Sequence, residues 1–561
     1  MQSQSQQSHA WGEALRYGLI GGAAAALLSL IGMVEAFGAR SLISGVISLG
    51  QTLLAGTVVV CAYAAVRKLN PQDRRLVLGA GAVAGAAAGA VLAALVLLGT
   101  AVNLRAVLVN ASPGLFALLA FQQPPALGAV LLIVAGLLVG LATAGVSLLT
   151  GPARQIILRA LTWLLLFGLL ADLVRIVSDN WGPLAGIFGW MLSGRGLSIV
   201  GAAALIVVVA GVSLAQQRGW LGRVDVGSRV LAAAPPAARQ GLRWGLILVV
   251  LLAVPPVMGT YISEVMDQVL LFVLMGLGLN IVIGYAGLLN LGNVAFYAIG
   301  AYTVGVLTSP ELGFFNLNWW VAAPIAVLVA ALAGALLSLP VLKTRGDYLA
   351  IVTLAFGEIV RLLAISDWLR PYVGGAQGIQ LIAKPALGSF VFDDQQKLYY
   401  LLLAGCLLAG FIAWRLRDSR LGRAWMAMRE DEDVAQAIGI NLVSTKVLAF
   451  AIGAAFAGLS GAIFAAKLGA AYAQSFGFLV SINVLALMII GGMGSIPGVV
   501  VGALVLIGLP ELLREFADFR LLVYGAVLVV MMLFRPEGLA PEAAIRRELH
   551  AENNAGVEPA A

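Results

Sequence analysis

The chain has 561 residues; 61% are hydrophobic, only 11% are charged, and the mean hydropathy is +0.99. An average soluble domain carries roughly 25% charged residues, so this composition excludes a soluble globular enzyme. The net charge of +7 and pI near 9.5 read as Lys and Arg in the cytoplasmic loops of a membrane protein, not as a nucleic-acid surface.

Apolar runs recur from Ala14 to Phe534, and runs of about 20 residues are long enough to cross a bilayer as helices. The opening MQSQSQQSHAWGEA is polar and lacks the basic start and short apolar core of a cleavable signal peptide. Six spans are predicted first, near 14–34, 41–66, 76–99, 126–150, 157–177 and 197–215. Within the third, GAGAVAGAAAGA (79–90) repeats small residues at helical spacing, which predicts close backbone packing in lipid. A basic stretch at 216–244 follows, with Arg218, Arg223, Arg229, Arg239 and Arg243 against Asp225. Its Pro235–Pro236 pair cannot continue a helix well, so it reads as a cytoplasmic linker.

Ten further segments are predicted near 245–262, 266–284, 287–308, 319–341, 348–366, 398–414, 447–467, 479–492, 498–513 and 519–534. The expected fold is an all-α polytopic bundle of about 14–16 membrane segments. Its parts are an extension at 1–215, the linker at 216–244, a main domain at 245–540 and a tail at 541–561. With the N-terminus cytoplasmic, every basic cluster falls on one side: Arg67 to Arg75, Arg154 with Arg159, the linker, Lys343 with Arg345, the 415–429 stretch, and Arg546–Arg547. That agrees with the positive-inside rule and puts both termini in the cytoplasm.

The rare residues exclude several chemistries. Cys61 and Cys406 lie in apolar runs, and His9 and His550 lie near the termini. No disulfide framework, CxxC metal site or His-based triad is expected. No GxxxxGK[ST] string occurs, so ATP hydrolysis is expected elsewhere.

Five stretches could carry function. In 415–446, Leu421, Trp425, Met428, Ala435 and Ile438 form an apolar stripe at helical spacing beside the charge run Arg429 to Asp433. Such a helix could insert its apolar side into a partner's groove or lie flat at the membrane interface. The acid run argues against an anionic leaflet. Gly439 suits a helix C-terminus. In 276–302, Asn280, Asn290 and Asn293 sit among apolar residues and glycines, which fits either a translocation-path element or interhelical hydrogen bonding. In 343–363, Glu358 lies inside an apolar segment with Arg361 three residues on, so the two can pair. An intramembrane acid is also a functional candidate by default. Asp347 is placed to cap this segment's N-terminus. In YVGGAQGI (372–379), Gly374, Gly375 and Gly378 permit unusual backbone angles or a ligand's close approach. In 489–503, Gly491, Gly492, Gly494, Pro497 and Gly498 predict a broken helix or tight turn, not a dinucleotide fingerprint. Glu264, Asp267, Asp172 and Arg175 read as interface or pairing residues near span ends.

These residues resemble a known family. GYAGLLNLGNVAFYAIGAY, TRGDYLAIVTLAFGEIVRLL, VGGAQGI, AMREDEDVAQAIGINLVSTKVLAFAIGAAFAGLSGA, GGMGSIPGVVVGA and LPELLREFADFRLLVYGAVLVVMMLFRPEGL run in order over roughly 265–540. They look like the larger membrane permease of bacterial ABC importers for branched-chain amino acids. The resemblance implies that 423–440 docks onto an ATPase subunit, through Arg423, Trp425, Met428, Arg429, Glu430, Ala435, Ile438 and Gly439. It implies a second permease, two ATPases, an external substrate-binding protein, no cofactor and no catalysis by this chain. The path candidates are Asn290, Asn293, Glu358, Gly374 and Gly375. The family usually shows TGGPNGI, so Val373, Ala376 and Gln377 depart from it. Leucine, isoleucine and valine are the expected substrates, with urea or short amides as the neighbouring possibility; AFGEI (355–359) favours amino acids. An ion-coupled transporter would rest on Glu358 alone, and an intramembrane enzyme lacks a nucleophile–base pair. The resemblance assigns no role to residues 1–244.

Overall fold

The computed structural model describes residues 2–512 except 68, 70–72, 150, 182–185, 187–188, 195, 218–235 and 342–345, with scattered positions from 522 to 541. The chain divides into two units, Met1–Leu248 and Val249–Ala561. Most of the predicted linker, the basic pair Lys343 and Arg345, most of the 519–534 segment and nearly all of the tail lie outside the described residues.

The first unit is built from helices α1 (Gln2–Leu30), α2 (Leu49–Val66), α3 (Arg74–Ala101), α4 (Pro125–Leu148), α5 (Pro152–Leu169) and α6 (Ile199–Gln217). The single span predicted over 41–66 is divided. Residues 41–48 form a hairpin, β1 (Ser41–Ile43) and β2 (Ile47–Ser48), turned at Gly45 with φ +76°. Ser48 then starts α2 through a capping box with Gln51. Strands β3 (Leu192–Ser193) and β4 (Gly196–Leu197) join this hairpin in a small sheet of order β2-β1-β4-β3. The predicted small-residue stripe is the α3–α4 seam: a Cβ on Gly81, Gly85 or Gly89 would collide with the carbonyls of Gly140, Gly136 or Leu132. Only glycine lets these two backbones touch.

The second unit holds most of α7 (Pro236–Leu279), then α8 (Asn293–Thr308), α9 (Trp319–Val341), α10 (Asp347–Ile365) and α11 (Gln395–Arg417). A short arm follows, α12 (Arg420–Glu430) and α13 (Glu432–Ala437), then α14 (Leu442–Leu468), α15 (Phe478–Gly491) and α16 (Ile496–Ala503). Between α10 and α11 a small hairpin pairs Ala386–Leu387 with Phe390–Val391. The core gathers on α8 and α14, where Gly461 meets the Tyr297 carbonyl and Gly300 meets Gly458. Tyr297, Phe464 and Phe476 stack there with centroids 5.3–6.0 Å apart.

Ten helices among the described residues are long and apolar enough to cross a membrane. The pair Phe478–Gly491 and Ile496–Leu512, bent by 118°, makes an eleventh if it counts as one span. Beyond that bent pair and the 519–534 segment, most of which lies outside the described residues, three local features account for the larger predicted number. The segments at 245–262 and 266–284 run as one helix, bent at Gly259 with φ +78°. Helix α8 has only 16 residues because 286–292 is unwound. Helix α1 covers 14–30 of the predicted 14–34 span but is not among the ten. The α10 cap also differs from expectation: Asp347 is the first helical residue, and the cap position belongs to Gly346 at φ +59°.

Candidate functional site

The 418–441 arm is locked onto its own bundle. Ser419 caps α12 by accepting from Gly422 N at 3.2 Å. Gly422 permits the sharp α11–α12 turn, since a Cβ there would strike the Leu416 and Arg417 carbonyls. Asp431 breaks the arm and caps α13, its Oδ1 accepting from Asp433 N and Val434 N at 2.8 and 3.0 Å. Gly439 follows α13 at φ +92°, and Ile440 N donates to Ala435 O at 3.0 Å. This is the glycine-terminated end the sequence predicts.

The apolar stripe does not point where a groove-inserting helix would need it. Trp425, Met428 and Ala435 are buried within this chain. Trp425 Nε1 donates to the Thr445 carbonyl at 2.9 Å, and Lys446, buried, pairs with Glu432 at 2.8 Å. These contacts fix the arm to the first turn of α14. A stripe at helical spacing shows that a face is covered, not by whom. The exposed residues of the arm include Arg423, Arg429, Glu430, Asp431, Asp433, Val434, Ile438 and Gly439, with Val434 57% and Ile438 70% exposed.

Arg429 points back into the bundle. It donates from NH1 to the Gly284 carbonyl at 2.7 Å. Gly284 lies in a π-helical turn, Asn280–Tyr285, that closes α7. Such turns are rare and recur at functional sites. In the same turn Asn280 Oδ1 accepts from Gly494 N at 2.9 Å. Gly494 (φ +83°) and Gly492 (φ +111°) form the break between α15 and α16, as the glycines there predict. Across that break the legs press together, Gly491 on Gly498 and Gly502 on Leu487.

The unwound stretch 286–292 is the second break. It is largely buried, and non-helical backbone at membrane depth must be satisfied by protein or line a cavity. Asn290 Oδ1 accepts from Gly292 N at 2.9 Å, Thr353 Oγ1 from Leu291 N at 3.0 Å, and Ser481 Oγ from Val294 N at 3.1 Å. Gly292 sits on the Thr353 carbonyl with no room for a Cβ. Asn293 Nδ2 reaches Met275 O at 3.5 Å, while its Oδ1 and Asn280 Nδ2 have no hydrogen-bond partner among the described residues.

The structure therefore places Asn290 and Asn293 at the 286–292 break with Thr353 and Ser481, and Asn280 at the 492–495 break. Glu358 lies off this seam and pairs with Arg361 at 2.8 Å, both about one-third exposed. Gly374 and Gly375 lie beyond the far end of α10, at φ +76° and +60°. Their loop is stitched to the end of α14 by Ile379 N to Ala471 O at 3.1 Å and Ala471 N to Ile379 O at 2.8 Å. Gly374 and Gly378 are required by that fold, since a Cβ on either would strike the Gly378 or Ala471 carbonyl. Sequence reasoning missed Thr353, Ser481 and Lys467. Lys467 lies 3.6 Å from Asp267, which is fully buried, and none of the three charged atoms has a hydrogen-bond partner among the described residues. Asp267 inside an apolar helix was the available signal; its partner 200 residues away was not readable from spacing.

A family model described as branched-chain amino acid transport system / permease component matches residues 261–534. The chain is 40% identical over 318 residues to the high-affinity branched-chain amino acid transport system permease protein LivM of Salmonella typhimurium, covering 53% of this chain and 73% of that one. It is 40% identical over 332 residues to LivM of Escherichia coli K12, covering 55% and 76%. It is 25% identical over 287 residues to the permease protein LivH of the same organism, covering 48% and 90%. No solved structure matches. With ten apolar spans and these relatives, the protein is a multi-pass membrane protein, and it belongs to the permease family of branched-chain amino acid transport systems.

Proposed function

We propose that the chain is one of two permease subunits of an ATP-driven importer of leucine, isoleucine and valine in the bacterial inner membrane. The permease proper is 245–540, and its path switches between outward- and inward-facing by alternating access. Of the importer's two ATPase subunits, one docks on the exposed edge of α12 and α13 of this chain, while a substrate-binding protein delivers substrate at the opposite end. The LivH likeness supports a related second permease, since both names occur in one organism. This chain holds and switches the path; ATP chemistry belongs to the ATPases.

The observation that carries the reading is the arm at 418–441. A helix pair pinned by buried Trp425 and the Lys446–Glu432 pair, with Val434, Ile438 and charges facing out, can receive a push and pass it on. A helix lying flat on lipid would present Trp425 and Met428 outward instead. Asn290, Asn293 and Glu358 remain the proposed path residues, and Gly374–Gly375 the proposed rim.

The test is affinity purification of the tagged chain from its native membrane in mild detergent, with mass spectrometry. Recovery of a P-loop ATPase and a second apolar permease is expected. Recovery of this chain alone, after crosslinking as well, overturns the reading.

A further inference from the structure

We propose that Arg429 and Asn280 are positioning residues that carry movement of the 418–441 arm into the broken span at 492–495. This deepens the importer reading and rests on it.

Three contacts form the line. Arg429 NH1 donates to Gly284 O at 2.7 Å. The preceding carbonyls of the turn, Ile281, Val282 and Ile283, are taken by Ala286, Leu288 and Gly287 N–H groups. Gly284 O is thus held by the arm, not by the local ladder. Gly284 in turn has no free space: a Cβ there would strike Asn280 Oδ1 and come within 2.8 Å of Gly494 N. Asn280 Oδ1 accepts from that same Gly494 N at 2.9 Å. Arg429, the π turn and the break therefore share one junction.

On the arm's side the junction is closely packed, and on the break's side it rests on glycines. Gly287 (φ +70°) backs onto Arg429, with room for no Cβ nearer than 2.9 Å from its Cγ. The arm itself is fixed by Trp425 and Lys446. Gly492 and Gly494 instead adopt angles only glycine takes easily, at a 118° bend. A displacement of the arm then draws Gly284, and through Asn280 re-aims the α15–α16 break. On this proposal that break is the element whose arrangement changes.

The experiment uses the assembled transporter in proteoliposomes and reads substrate taken up per ATP hydrolysed. Arg429→Ala and Asn280→Leu are each expected to lower that ratio about tenfold, the effect of losing one strong hydrogen bond. The double variant is expected to be no worse than either single, because residues on one line are not additive. Arg429→Lys, which keeps a donor for Gly284 O, should restore most of the ratio. Asn280→Leu should still copurify with the ATPases, since Asn280 is buried away from the exposed edge. An unchanged ratio in both single variants, or losses that multiply in the double, overturns the relay and leaves the importer reading standing. Absence of ATPase from the unaltered complex overturns the importer reading instead. If Arg429→Ala does not fold, Asn280→Leu and Arg429→Lys decide the matter alone.

Discussion

The two units solve the same lipid problem in different ways. In the first, helices pack through glycine: α3 and α4 touch backbone to backbone at Gly81, Gly85, Gly89, Gly136 and Gly140. Its buried polar side chains among the described residues are three serines, Ser29, Ser178 and Ser213. The second unit buries Asp267, Asn280, Asn290, Asn293, Thr353, Lys446, Ser460 and Ser481. It also carries two unwound breaks and two π turns, at Asn280–Tyr285 and Leu504–Gly508. Buried polar groups and broken helices are costly in lipid and persist where a function needs them. The contrast, together with the family match over 261–534, supports a working part in the second unit.

That contrast can be broken by substitution. The largest effect is expected from Lys467→Met, which strands the Asp267 carboxylate without a counter-charge. Removing one partner of a buried pair costs about 3–5 kcal/mol, read as a fall in melting temperature in detergent. Replacing both, Asp267→Leu with Lys467→Met, should recover most of it; equal loss in both would show that the pair is not coupled. In the first unit, Gly136→Val forces a side chain against the Gly85 carbonyl. Overpacking of this kind costs about 1–3 kcal/mol, measurable by thermal melting or by protease access to the first unit.

Two smaller effects sharpen the account of the arm. Trp425→Phe keeps the buried ring and loses the bond to Thr445 O, for a cost of about 1 kcal/mol in stability. Ile438→Ser, at an exposed position, should change stability by less than about 0.5 kcal/mol. It should nonetheless weaken ATPase recovery roughly tenfold if the exposed edge is the docking face. The opposite pattern, with stability lost at Ile438 and recovery lost at Trp425, would reverse the orientation of the arm.

Much of this was readable from residues alone. The Glu358–Arg361 pair, the glycine after α13, the small-residue seam and the glycine break near 492 all follow from local spacing and backbone sterics. So do the long apolar spans and the strings that carry the family. What spacing could not supply was direction and distant pairing. The stripe Leu421, Trp425, Met428 and Ala435 has the same period whether it faces a partner or its own bundle. Asp267 and Lys467 sit on different helices, and Asn280 and Gly494 lie 214 residues apart in the chain. The hairpin at 41–48 is too short, and too apolar, to separate from the span that follows it.

The most direct test of the central claim is uptake of labelled leucine by the purified permease pair, with its ATPases, in proteoliposomes supplied with loaded binding protein. Accumulation that requires internal or external ATP at the ATPase face, persists when ion gradients are collapsed, and exceeds uptake of urea is the predicted result. Uptake that proceeds without the ATPases and vanishes with the ion gradient would contradict it.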